Sequence, residues 1–256
     1  MSKLLKFSFL ILLIAFVACS EEDDSEGAGN PIAGNRLSTG DSARDFLSDE
    51  TFDELIVEVV YVEGFRPTDA SLNNLLAFIE ERCHKPGGVE LNVRSFPSPN
   101  IEQFNIQQVD SIEKVMRSQY NLGNKMALYV SFLDGQFEDD SDDSVVLGAA
   151  YRNTSFVIFE ETLHRFSDGV NEPDRFLLES TVFRHEFAHL LGLVDLGTEM
   201  QTDHLDSENG NHCNVESCLM NYKIESGINI PGMASEENIP VLDSQCLADL
   251  RANGGK

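Results

Sequence analysis

Residues 185–195, HEFAHLLGLVD, constrain this chain more than any other stretch. Positions four apart on a helix lie one turn above each other, so His185 and His189 can aim two imidazoles at one point. Glu186 faces a neighbouring sector, from which its carboxylate can reach a water at that point without occupying it. Gly192 follows three residues after the second histidine, and glycine commonly ends a helix in a left-handed turn. A reversal there would return Asp195 as a third ligand. Three protein ligands with one open position is the arrangement of catalytic rather than structural zinc, so Zn2+ is the expected cofactor. An HExxH pentapeptide also arises by chance on surface helices. Here the spacing continues through Gly192 to Asp195, and residues 171–184 read as the first half of the same helix. Pro173 suits an early position, and Leu177, Leu178, Thr181, Val182 and Phe183 suit burial.

The chain has 256 residues, 41% of them hydrophobic, which is enough for one domain once a leader and tail are set aside. A formal charge of -26 argues against a nucleic-acid partner, whose phosphates need Lys and Arg. Residues 1–18 read as a signal peptide: Lys3 and Lys6 precede an apolar run over 7–17 that is too short to span a bilayer. The run ends in Phe16-Val17-Ala18-Cys19, which resembles a bacterial lipobox and implies a lipid on Cys19 that anchors the chain to a membrane. Residues 19–48 open with Ser20-Glu21-Glu22-Asp23-Asp24 and read as an acidic flexible tether. That acidic run resembles the signal for export to the outer membrane surface. The expectation is an outer membrane lipoprotein facing the cell surface or the periplasm; a solvated charge run is the alternative.

The folded domain is expected over residues 49–256. Residues 55–62 are β-branched and apolar on both faces, as in a buried central strand. A helix to about Arg82 follows the caps Thr68 and Asp69, with Leu72, Leu75, Leu76 and Ile79 at helical spacing. A strand over 89–96, a helix over 106–119 and a strand over 126–132 complete an opening suited to a parallel-rich sheet. Two strands are expected over 145–151 and 155–159, and a short terminal helix over 241–252. The carboxylates of residues 138–143 lack the alternation of a calcium loop and read as a solvated loop.

HEFAHLLGLVD resembles the metzincin signature HExxHxxGxxH/D, with Asp195 where a histidine is more common. The run HCNVESCLMNY, residues 212–222, resembles the archaemetzincin Met-turn segment, whose Cys-x4-Cys-x-Met spacing Cys213, Cys218 and Met220 match. In that family the segment follows the zinc motif directly; here residues 196–211 intervene, which leaves His204 and His212 as alternative third ligands. A closer likeness is to lipoproteins described as membrane metalloproteases. The resemblance covers about residues 174–222. It implies an α+β, metzincin-like zincin: a three-layer, α/β-like upper subdomain with a mixed twisted sheet over a small irregular lower subdomain. It also implies that one strand forms the edge above the metal, that Met220 packs beneath the histidines, and that Tyr222 is a minor catalytic candidate.

Without Cys19, four cysteines are left, an even number in an exported chain. Disulfides Cys213–Cys218 and Cys83–Cys246 are therefore expected, with a four-thiolate zinc site as rival. The activity expected is that of a monomeric zinc metalloendopeptidase acting on peptide or protein substrates, with Glu186 as base. Two rivals stand beside it: a silent metal-containing binding or adhesion lipoprotein, and a gluzincin-type hydrolase using Glu199 or Glu208 as third ligand.

Overall fold

A computed structural model of the chain describes residues 31–141, 145–170, 172–224 and 239–256. The expected signal peptide, Cys19 and the acidic run at 20–24 lie outside the described residues. The organising element is β1 (Glu54–Val62), buried along nearly its whole length. It pairs in parallel with β2 (Gly88–Phe96) on one side and β4 (Lys125–Leu133) on the other. Next to β4 lies β7 (Ser155–Phe159), again parallel, and β6 (Gly148–Arg152) closes the order β2-β1-β4-β7-β6 as an antiparallel edge. The connections explain the pattern: parallel neighbours need long crossovers, whereas Asn153 and Thr154 alone join β6 to β7, which permits only a hairpin. A separate two-stranded ladder pairs β3 (Gln103–Phe104) with β5 (Gln136–Phe137).

Helices cover both faces. On one face α3 (Asp69–Arg82), capped by Thr68, packs with α6 (Arg175–Leu190) over Leu72, Leu75, Phe78, Val182, Phe183 and Phe187. On the other, α4 (Ile106–Met116) begins in a capping box of Asn105 and Gln108 and packs Val109 against Tyr129 and Phe159. The result is a mixed α/β fold in three layers with a mostly parallel sheet. Below α6, residues 191–224 form neither helix nor strand, and α7 (Ser244–Ala252) closes this irregular part.

Three expectations are revised and one element is added. Residues 31–48, read as part of the tether, are folded: α1 (Pro31–Gly34) and α2 (Ala43–Leu47) bracket a segment with Asn35, Phe46 and Leu47 fully buried. Phe46 meets Phe187 edge to face at 5.4 Å, which secures α2 to α6. Pro173 precedes α6 rather than starting it, because Asp174 is the cap and accepts from Phe176 N. α4 stops at Met116, where the Arg117 guanidinium turns inward to Glu113, Ser155 and Ala127 O. α5 (Glu160–Arg165) follows β7 without a linker and was unforeseen.

Candidate active site

α6 carries the first half of the site. His185 and His189, one turn apart, are buried with ring centroids 4.7 Å apart. The helix ends at Leu190 and the chain turns at Gly192, at φ 75°, where an added Cβ would lie 2.8 Å from Thr198 N and 2.9 Å from the Ala43 side chain. Glycine is required both for the turn and for the close approach of these two segments. The reversal does not bring Asp195 to the histidines. Asp195 sits in a left-handed conformation at φ 68°, exposed to solvent, and is not part of the histidine group. Glu199 and Glu208 are likewise exposed and outside it.

The third member is His212. Nitrogens of His185, His189 and His212 lie within 4.8 Å of one another in a buried cluster. Main-chain carbonyls set the tautomers of two of them. His185 Nδ1 donates to Leu219 O at 2.7 Å, and His212 Nδ1 to Gly210 O at 2.8 Å. A carbonyl only accepts, so each Nδ1 carries the proton and each Nε2 keeps a lone pair. Burial, reinforced by His185 and His212, holds His189 well below the ordinary histidine range. Three imidazoles therefore converge, with Nε2 of His185 and His212 facing away from the carbonyls that hold their Nδ1 atoms. The donor set fits zinc: tetrahedral Zn–N bonds of about 2.05 Å place two nitrogens about 3.3 Å apart, and His189 Nε2 and His185 Nε2 are 3.1 Å apart.

Glu186 completes the site. It is 1% exposed and pressed against β6, so that a Cβ on Gly148 would come within 2.9 Å of its Cγ and 3.0 Å of Val182. Its neighbours enclose a cleft of about 210 Å³ lined by Thr39, Ala149, Ala150, Glu186, His189, Leu196, Asn211 and His212. β6 is thus the edge strand over the imidazoles, which the sequence left undecided between two strands. Met220 is buried, and the segment it ends supplies the carbonyl that holds His185. Tyr222 is half-buried and does not line the cleft.

A second cluster lies below the first. His204, Cys213, Asp243 and Cys246 bring ligand atoms within 4.8 Å of one another. His204 Nδ1 is 3.3 Å from Cys213 Sγ and 3.8 Å from Cys246 Sγ, and Cys218 Sγ is 3.7 Å from Cys246 Sγ. That last separation excludes a disulfide, whose sulfurs lie about 2.05 Å apart. It matches the edge of a tetrahedron with Zn–S bonds of about 2.3 Å, close to 3.8 Å. His204 Nε2 is 2.7 Å from the buried Asp249 carboxylate, the outer partner that orients a ligating imidazole. Hydrogen bonds from Cys213 and Cys246 hold the Cys218 thiol below the ordinary thiol range. The expected disulfides are therefore corrected. All four described cysteines are reduced, three gather with His204, and Cys83 is buried alone near the end of α3, its thiol pushed up to about 12 by burial. His204 belongs to this second cluster and not to the first.

One short segment feeds both clusters. Leu205 pairs with Cys213 as an antiparallel bridge, with Asp206 N to His212 O at 2.8 Å and Asn214 N to His204 O at 2.9 Å. Adjacent residues of extended chain point to opposite sides, so His212 turns to the upper cluster and Cys213 to the lower. The one sequence signal for this was the HC pair itself.

No family model and no curated protein matches the chain. Among solved structures it is similar to an archaemetzincin from Methanopyrus kandleri, at 15% identity over 78% of this chain and 96% of that one, with TM-score 0.49. It is also similar to a zinc-dependent peptidase from Methanocorpusculum labreanum, at 13% identity, 76% and 99% coverage and TM-score 0.45. A third similarity is to metalloproteinase-II from Bacteroides fragilis, at 12% identity, 81% and 55% coverage and TM-score 0.41.

Proposed function

We propose that the chain is a zinc-dependent peptidase of metzincin type, with His185, His189 and His212 as ligands and Glu186 as base. The observation that carries this reading is the convergence of three buried imidazoles, two of them held by main-chain carbonyls, beside a buried carboxylate, directly under an edge strand. Zinc held there would polarise a substrate carbonyl and acidify a water. The edge of β6 lets an extended peptide add by main-chain hydrogen bonds, which lays a peptide bond across the cleft. Glu186 takes the proton of the attacking water and returns it to the leaving amine. Its burial against Gly148 fixes the carboxylate in place and keeps bulk water from it. The substrate class is peptide or protein.

The lower cluster of His204, Cys213, Asp243 and Cys246, with Cys218 Sγ 3.7 Å from Cys246 Sγ, we assign to a second, structural zinc, because its donors are thiols and an imidazole oriented by a buried carboxylate. Cys19 is proposed as a lipid anchor that holds the domain at an outer membrane surface, on the sequence grounds given above. Replacing Glu186 by Gln should lower kcat by about 10²–10⁴-fold while both zinc ions stay bound, as measured by metal analysis of the purified protein. Undiminished turnover would remove Glu186 from the mechanism, and retention of zinc with no peptide cleavage by the wild type would favour a binding lipoprotein.

A further inference from the structure

The N-terminal segment contributes to one end of the cleft. Past Ala150 the outer edge of β6 is already occupied. Thr39 Oγ1 donates to Ala150 O at 3.2 Å, Arg152 donates to Arg36 O at 3.3 Å, and Asn153 N donates to Leu37 O at 3.1 Å. Leu37 N in turn donates to Asn153 Oδ1 at 3.0 Å. Thr39 itself lines the cleft with Glu186, His189 and His212.

The segment is fixed at both ends. Asn35, fully buried, bonds to Asn121 Oδ1 at 2.9 Å and Thr154 Oγ1 at 3.0 Å. At the other end Gly40, at φ 85°, lies so close to the turn after α6 that an added Cβ would fall 1.5 Å from Leu196 O. Leu196 lines the same cleft. The segment thus bridges the edge strand above and the turn below.

We infer that residues 36–40 close the cleft at the Ala150 end, so that this site takes peptides whose chain ends close to the scissile bond on that side. The inference rests on the peptidase reading and sharpens it. A peptide adding to β6 advances about 3.3 Å per residue and needs free acceptors and donors along the edge. Thr39 takes the Ala150 carbonyl and Leu37 takes Asn153 N, so a peptide can add only over the part of β6 before that carbonyl. The endopeptidase expectation is thereby narrowed to cleavage near a chain terminus, and Thr39 and Gly40 become specificity-determining residues.

The test uses the zinc-loaded full chain and a peptide series that keeps one scissile bond and adds residues one at a time, first on one side and then on the other. The wild type should lose about tenfold or more in kcat/KM when the series grows on one side, one lost tenfold being the scale of a single hydrogen bond. Growth on the other side should be tolerated. Gly40→Ala, which forces the segment off Leu196, should bring the ratio of long to short peptides close to one. Thr39→Ala, which leaves Gly40 seated and frees the Ala150 carbonyl, should move it the same way and serves if Gly40→Ala fails to fold. The same series is measured for equilibrium binding to the Glu186→Gln protein, which keeps the cleft and lacks the base. Affinity that falls with length on one side, and recovers in the Thr39 or Gly40 variants, supports the wall even where no bond is cut. Rates and affinities indifferent to length, or a length dependence that both variants leave unchanged, would overturn it. Absence of cleavage by the wild type alone would count against the peptidase reading and not against the wall.

Discussion

At the scale of single residues the site depends on contacts that a methyl group would break. Gly148 lets β6 approach α6 closely enough to pin Glu186, with 2.9 Å between the position of an added Cβ and Glu186 Cγ. Gly148→Ala should therefore lower kcat and cost about 1–3 kcal/mol of stability through overpacking, read by kinetics and by denaturant unfolding. A wild-type kcat in a folded Gly148→Ala protein would show that the position of Glu186 is not set from β6. A second residue-scale prediction concerns pH. Glu160 is fully buried beside Glu179, with His164 Nε2 at 3.1 Å and Arg175 close by. Burial first, and then the Glu179 charge, raise its carboxyl well above the ordinary 4.5. A carboxyl raised in the folded state contributes stability below its unfolded value that is lost as pH rises through the folded one. Glu160→Gln should thus gain stability over the wild type as pH climbs from 4.5 upward, seen as a growing difference in Tm. A constant difference across pH would refute the shared-burial account. These two sites differ in how they could be read in advance. His185, Glu186 and His189 were legible because their spacing alone puts them on one helical turn. Glu160 and Gly148 were not, since their roles arise only when β6, β7 and α6 meet.

At the scale of elements the two clusters are coupled through one loop. His212 and Cys213 are neighbours, and Leu219, whose carbonyl holds His185, sits next to Cys218. Whatever ties down the lower cluster also sets the orientation of two upper histidines. Cys218→Ser should release the lower zinc and weaken the upper one as well, with metal affinity falling by about 10–100-fold, the scale found for lost outer partners of a ligand. Competition with a chelator measures both. An upper site of unchanged affinity would mean that the loop holds its shape without the thiols. Element by element the strands were readable from runs of β-branched residues, and α3 and α4 from caps and periodicity. The loop at 196–212 was not readable: polar residues with two histidines fit a rim as well as a ligand. Its bridge at Leu205 and Cys213 depends on contacts with Met220, whose carbonyl receives Cys213 N at 2.7 Å. The gathering of His212, one of the alternative third ligands, with His185 and His189 was hidden for the same reason. A short reach from Gly192 favoured Asp195, but the turn runs through left-handed Val194 and Asp195 and leaves the carboxylate in solvent.

At the scale of the whole molecule, a three-layer fold carries the helix with the first two histidines, and a loop-built lower part supplies the third. The N-terminal segment locks the two together, since α2 packs Phe46 on Phe187 between the two α6 histidines in sequence, while Gly40 rests on Leu196. Acidic, glycine-containing composition made residues 19–48 look like tether throughout, and among the described ones the buried side chains of Asn35, Ala43, Phe46 and Leu47 show residues 31–48 to be folded. The central claim is that the catalytic metal is gripped by three histidines, the last from the loop beyond the helix. It is tested most directly by counting zinc in purified His212→Ala and Asp195→Ala proteins beside the wild type. The account predicts that Asp195→Ala keeps the wild-type complement, while His212→Ala loses the upper ion and retains the lower. Loss of zinc in Asp195→Ala with full retention in His212→Ala would contradict it.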